Sequence, residues 1–164
     1  MPAPLPTIVH ITGMSGTGKS ITLDILARRG WEAIDTDFGD WLVKDTDGDL
    51  IWDEPKIEAR LGAVPPAGRL VIAGTVRNQG QLRNRFDAVV LLTAPLDIML
   101  DRVLARATNP YGKSTAQQND IRAYTRTVQP LLRANADLEI DTSMLDPEAV
   151  ADVIEQFVDG RRPA

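Results

Sequence analysis

The segment Gly13-Met14-Ser15-Gly16-Thr17-Gly18-Lys19-Ser20 limits what this chain can fold into more than any other feature. It fits Gly-x-x-x-x-Gly-Lys-Ser/Thr at every defined position. It also lies between a β-rich run, Thr7–Thr12, and a stretch of helical spacing over residues 20–29. Glycines let consecutive backbone N–H groups turn inward on phosphates, and the start of a helix adds the positive end of its dipole. Gly13, Ser15, Gly16, Thr17 and Gly18 are therefore expected to cradle a nucleoside triphosphate. Lys19 would bridge the β- and γ-phosphates, and the Ser20 hydroxyl would ligate Mg²⁺. A glycine-rich turn with an incidental Lys-Ser would lack the strand–turn–helix context seen here.

The rest of the chain alternates in the same way. Short strands are predicted over residues 31–35, 70–73, 88–93 and 137–141, the third a continuous apolar run of the kind buried on both faces of a parallel sheet. Helices are predicted over 54–61, 95–107, 115–134 and 147–158, the third bent near Pro130 and the last capped by Asp146. Residues 44–53, with an Asp47-Gly48 turn, read as an irregular loop or hairpin. Five strands alternating with helices predict a three-layer α/β fold with a mostly parallel sheet and helices on both faces, formed by residues 1–164 as one domain. Ligands in such sheets bind at the carboxyl ends of the strands.

Composition removes several function classes. The chain of 164 residues has no cysteine and one histidine, which excludes thiolate nucleophiles, disulfides and cysteine zinc sites and leaves no room for a histidine metal cluster. Its 18 Lys+Arg against 23 Asp+Glu give a net charge of -5, a poor balance for gripping nucleic acid. No apolar run approaches the roughly 20 residues of a membrane-spanning helix. The proline-rich start, Met1-Pro2-Ala3-Pro4-Leu5-Pro6, has neither the basic beginning nor the apolar run of a signal peptide. A cytoplasmic address is expected, with residues 160–164 as a solvated tail.

Asp35 and Asp37 follow the second strand as Ile34-Asp35-Thr36-Asp37. Residues two apart on an extended segment project to the same side, so both carboxylates can face the phosphates. One can hold Mg²⁺ while the other accepts a proton from an attacking hydroxyl.

With these residues in view, the chain resembles the shikimate kinases and related P-loop small-molecule kinases of the nucleoside monophosphate kinase superfamily. Leu100-Asp101-Arg102-Val103-Leu104-Ala105-Arg106 is similar to the Arg-x-x-x-Arg that opens the lid of adenylate kinases. Pro130-Leu131-Leu132-Arg133, followed by Ile140-Asp141-Thr142, is similar to the shikimate-kinase tail. The resemblance implies a metal role for Asp35 beside Ser20 and an acceptor-binding, base-like role for Asp37. It implies Arg102, Thr142 and Pro147 around the adenine, Arg106 reaching the phosphates, and a small lid over residues 106–118.

The departures concern the acceptor. The position of the shikimate-binding arginine, two residues before the Pro-Leu pair, is Val128, and the triple-glycine loop is reduced to Ala73-Gly74-Thr75. These differences argue against shikimate. Gly74-Thr75-Val76-Arg77 fits the adenylate-kinase Gly-x-x-Arg, yet the preceding Asp is Ala73. Gly74, Arg77 and Arg60 are candidate acceptor contacts, and Asn78 and Gln79 suit hydroxyls or a base edge. Trp41 and Trp52 are assigned to packing, His10 to the core, and Lys113 to phosphate contact on closure of the lid. Asp45-Thr46-Asp47-Gly48-Asp49 fails as a calcium loop, because glycine falls at position four and Lys56 at position twelve.

The leading expectation is a kinase moving the γ-phosphoryl of MgATP to a hydroxyl or phosphate of a small acceptor. The alternative is a regulatory nucleotide-binding module with little or no ATP turnover, which the Ala at position 73 favours.

Overall fold

The computed structural model describes residues 2–161. In chain order its strands are β1 (Thr7–Thr12), β2 (Glu32–Asp35), β3 (Leu42–Lys44), β4 (Leu50–Trp52), β5 (Arg69–Ala73), β6 (Ala88–Thr93) and β7 (Leu138–Asp141). The α-helices are α1 (Lys19–Arg28), α2 (Glu54–Gly62), α3 (Leu96–Ala105), α4 (Thr115–Thr127), α5 (Gln129–Asn135) and α6 (Pro147–Gly160), with a 3-10 helix over Gln79–Arg85.

Five strands form one sheet in the order β2-β5-β1-β6-β7, and every pairing in it is parallel. β1 and β6 are buried at every residue because both faces are covered. On one face Val9, Ile11, Val71 and Val90 meet Leu23 and Leu26 of α1 and Val150, Ile154 and Val158 of α6. On the other, Ile8, Leu70, Ile72 and Val89 meet Ile57 and Leu61 of α2, Leu82 and Phe86. Met14, Leu91, Met99 and Leu132 close a third cluster where α3 and α5 cover β6. The result is a three-layer α/β sandwich.

Register brings the chemistry to one edge. Asp35 of β2 pairs across from Ala73 of β5, and Ala73 from Ile11 of β1. The acidic pair, the exit of β5 and the glycine-rich turn after Thr12 thus emerge side by side at the carboxyl ends of three neighbouring strands.

Three local expectations are refined. Residues 44–53 belong to an antiparallel hairpin, β3 against β4, with Asp45 Oδ1 accepting from Asp47 N at 2.9 Å and Asp49 N at 3.0 Å across its tip. The predicted helix over 115–134 is two helices, broken at Val128, because Pro130 has no N–H to continue the ladder and restricts the residue before it. Asp146 caps α6 as expected, accepting from Ala149 N at 2.8 Å. The start of the expected tail is ordered instead: Gly160 ends α6, and Arg161 lies over the Phe157 ring and 3.4 Å from Asp137. The rest of that tail, 162–164, and Met1 lie outside the described residues. Among the described residues no helix is long and apolar enough to cross a membrane.

Ile154 is fully buried between α6 and the sheet. Ile154→Ala is expected to lower unfolding free energy by about 2–5 kcal/mol, the usual cost of a buried cavity, as read from the midpoint of a urea titration.

Candidate functional site

The glycine-rich turn joins β1 to α1 with Gly16 at φ 83° and Gly18 at φ 98°, conformations that disfavour any side chain. At Gly16 a Cβ would also run into the carbonyl oxygen of Met99 in α3. The turn is therefore pressed directly against the neighbouring helix. No side chain caps α1, so its first-turn N–H groups remain available to an anion.

Polar side chains hold the turn from beneath. The buried Thr17 hydroxyl donates to Met14 O at 2.8 Å. Thr142, in the loop after β7, donates to Thr17 O at 2.7 Å and accepts from Arg102 Nη1 at 2.8 Å. Arg102 also reaches Gly16 O at 3.3 Å. Thr75 Oγ1 accepts from Gly13 N at 3.0 Å and lies 2.8 Å from Gly13 O. Lys19 Nζ folds back onto its own loop, donating to Gly13 O at 2.7 Å and Met14 O at 2.9 Å. Burial lowers its pKa to about 8, against the opposing charges of Asp37 and Asp35.

The acidic pair divides its work. Asp35 Oδ2 accepts from Ser20 Oγ at 2.8 Å, and Oδ1 accepts from Asp37 N at 3.1 Å. Ser20 and Asp35 therefore offer two hard oxygens side by side, which suits Mg²⁺. The surrounding protein pushes the Asp37 carboxyl above the ordinary aspartate value; Lys19 pulls it down, and the charge of Asp35 adds to the rise. Between them Thr36 points into the fold, donating to Ala73 O at 2.9 Å and accepting from Trp52 Nε1 at 3.1 Å.

Two clefts open from this centre. A smaller one of about 290 Å³ is lined by Gly18, Arg102, Thr142 and Pro147. The larger, about 990 Å³, runs from Gly13, Ser15, Lys19 and Asp37 past the hairpin and between the 3-10 helix and α4–α5. It has room for a second molecule beside a triphosphate.

Several residues expected to contact ligand are bonded to other protein groups, whether inside or outside the cleft. Arg60 does not face the site; it pairs with Glu32 at the amino end of β2, because α2 runs away from the carboxyl edge. Lys113 donates to Val103 O, Leu104 O and Arg106 O at 2.6–2.7 Å, so it caps α3 rather than reaching phosphate. Arg106 stands near Lys19 and Asp37, while its Nε and Nη2 hold Asn109 O and Tyr111 O at 3.1 and 2.6 Å. Arg77 reaches the cleft but is engaged by Asp45, Asp47 and Asp49. Asn78 braces Trp52 and Glu54, and Gln79 braces Val76 and Thr12. Gly74 lies against Thr36 and Trp52 with no room for a Cβ.

His10 is a core residue. Its Nε2 donates to Gly74 O at 2.9 Å, its ring lies 4.9 Å from Trp52 and 5.0 Å from Phe86, and burial lowers its pKa to about 4. Sequence reasoning missed the clasping role of Thr75. The available signal was a hydroxyl residue just past the strand that neighbours the glycine-rich turn.

Comparison with known proteins agrees with this architecture. The family model described as AAA domain matches residues 9–124. A nucleotide-binding protein of Mycobacterium avium is 29% identical over 157 residues, covering 93% of this chain and 52% of that protein. The chain thus spans about half the length of the curated relatives it matches. Among solved structures, a shikimate kinase from Acinetobacter baumannii in complex with shikimate superposes with TM-score 0.64 at 20% identity, over 98% of this chain and 96% of that one. A sugar kinase from Janibacter gives 0.60 at 17% identity, over 94% and 95%. At these identities the likeness is one of fold: a P-loop kinase fold.

Two expectations follow from the loop. Gly16→Ala combines a disfavoured φ with collision against Met99, so MgATP, expected to raise the melting temperature of the parent, should not raise that of the variant. Gly48→Ala, at φ 85° on the open hairpin tip, should keep that rise. For Lys19, bound phosphate favours the charged amine and raises its pKa, so binding must take up a proton above about pH 8. Titration calorimetry in buffers of different ionisation enthalpy should show this uptake, with affinity falling as pH rises through 8. Lys19→Ala should lose the uptake.

A strand-to-helix phosphate loop on a five-stranded parallel sheet and the match over residues 9–124 lead to one assignment: the chain belongs to the AAA domain family.

Proposed function

We propose that this chain is an ATP-dependent small-molecule kinase, transferring the γ-phosphoryl group of MgATP to a small acceptor. The observation that carries the reading is the larger cleft, which continues past Lys19 and Asp37 into a second compartment walled by the hairpin and α4–α5. A protein that only held nucleotide would need no such room beside its acidic pair.

The roles follow from position. The amides of Gly13–Ser20 hold the phosphates, and Lys19 leaves its loop carbonyls to meet the β- and γ-oxygens. Ser20 and Asp35 would hold Mg²⁺, which neutralises charge on the phosphates when bound. Arg102, Thr142 and Pro147 flank the base in the smaller cleft. Asp37 orients the acceptor and takes its proton as the acceptor oxygen bonds to the γ-phosphorus and the bond to the bridging oxygen of ADP breaks. Its raised pKa keeps a carboxylate basic enough for that work. Arg106, already near Asp37 and Lys19, stabilises charge on the group in transfer once the 106–118 segment closes. The partners in this reading are ATP and a small molecule rather than nucleic acid or membrane, and the setting is cytoplasmic.

A second reading has its own support. Relatives that share about half their length with this chain are named only as nucleotide-binding proteins, which suits a regulatory module with weak ATP turnover. Stimulation of ADP release by an acceptor separates the two.

Asp37→Asn decides the matter most sharply. It should leave MgATP affinity near that of the parent and lower acceptor-dependent turnover by about 10²–10⁴, the usual worth of a general base. In the parent, turnover should fall with acid at a pH above the ordinary aspartate range, and the variant should lose that limb.

A further inference from the structure

We infer that the acceptor is an uncharged hydroxyl compound with an apolar face, carrying neither a carboxylate nor a phosphate. This rests on the kinase reading above and narrows it. The compartment beyond Asp37 is lined by two cations among the described residues, Arg77 and Arg83. Both are already engaged by protein carboxylates, although Arg83 shares its carboxylate with Arg161. Arg77 is held by Asp45, Asp47 and Asp49 of the hairpin tip. Arg83 donates to both oxygens of Asp137 at 2.7 Å, and Asp137 is itself fixed by Val89 N at 2.8 Å. Arg77 is outnumbered three to one, so an anionic acceptor would have to displace several carboxylates to reach it.

The walls between these pairs are apolar or uncharged. Leu42 and Leu50 of the hairpin, Val76, and Tyr124, Val128 and Leu132 of α4–α5 line this stretch. Val128 occupies the position where the shikimate-kinase resemblance would put an arginine. Asp37 stands at the reacting end, and Asp49, paired with Arg77, also lines the cleft. Lys19 and Arg106 sit at the triphosphate end. Beyond Lys19 and Arg106, an acceptor carboxylate or phosphate would therefore meet apolar walls and arginines already held by carboxylates, an arrangement that disfavours it. A neutral acceptor meets no such barrier. It can lay an apolar face on Leu42, Leu50 and Val76 and present a hydroxyl to Asp37.

The test uses the full chain, MgATP and a small-molecule extract separated by ion exchange into anionic, cationic and neutral fractions. ADP release and gain of a phosphoryl group by mass are read for each fraction. Acceptor activity should lie in the neutral fraction. Once that acceptor is identified, its carboxylated or phosphorylated analogue should be used at least about tenfold less well, the penalty of placing like charges together. Asp45→Asn/Asp47→Asn/Asp49→Asn, which frees Arg77, should narrow that gap. Activity in the anionic or cationic fraction, or an unchanged gap in the triple variant, overturns the inference while leaving the kinase reading in place. No phosphoryl transfer to any fraction, with nucleotide binding intact, overturns the kinase reading and this inference with it.

Discussion

The phosphate loop is wedged against the neighbouring layers, and much of the site depends on that contact. A side-chain carbon at Gly13 would lie 2.5 Å from the carbonyl oxygen of Leu92, and one at Gly16 would strike that of Met99. Glycine lets β1 end against β6 and lets the turn abut α3 without displacing either. Met14, inside the turn, joins Leu91, Met99 and Leu132 in one buried cluster. The loop that faces the ligand is thus packed into the hydrophobic interior on its other side. Thr17, Thr142 and Arg102 complete the anchorage, so the fold organises the cradle before any phosphate arrives.

Charge around this cradle is arranged in a gradient. Lys19 is less basic than a free lysine because burial outweighs its two acidic neighbours. Asp35 is tied to Ser20 and to the backbone of Asp37, a geometry suited to metal. Asp37 instead becomes harder to ionise. Two carboxylates separated by one residue therefore sit in different surroundings, Asp35 hydrogen-bonded to Ser20 and Asp37 desolvated by the protein around it.

The larger cleft follows a different logic. Its two arginines are engaged by protein carboxylates, and its walls mix apolar and aromatic side chains with uncharged Gln79, Asn109 and Asn135. The hairpin brings the three aspartates to Arg77 because β3 and β4 pair with Lys44 opposite Leu50, leaving residues 45–49 as a compact tip. A cleft can exclude anions as firmly by neutralising its own cations as by lacking them.

The sequence by itself determined the parts governed by local chemistry. The glycine spacing marked the loop, the apolar runs marked the strands, Asp146 marked a helix start, and the Asp35–Asp37 spacing marked a shared face. Each depends on contacts within a few residues, where propensity and pattern carry the information. The tertiary structure decided what side chains distant in sequence do to one another. Glu32 draws Arg60 away from the site, the hairpin tip claims Arg77, the last turn of α3 claims Lys113, and Thr75 is brought under Gly13 by the β1–β5 pairing. Long, flexible cations bind whichever carboxylate or carbonyl the packed elements bring within reach. Their partners are fixed by the docking of helices and strands rather than by the residues beside them in the chain.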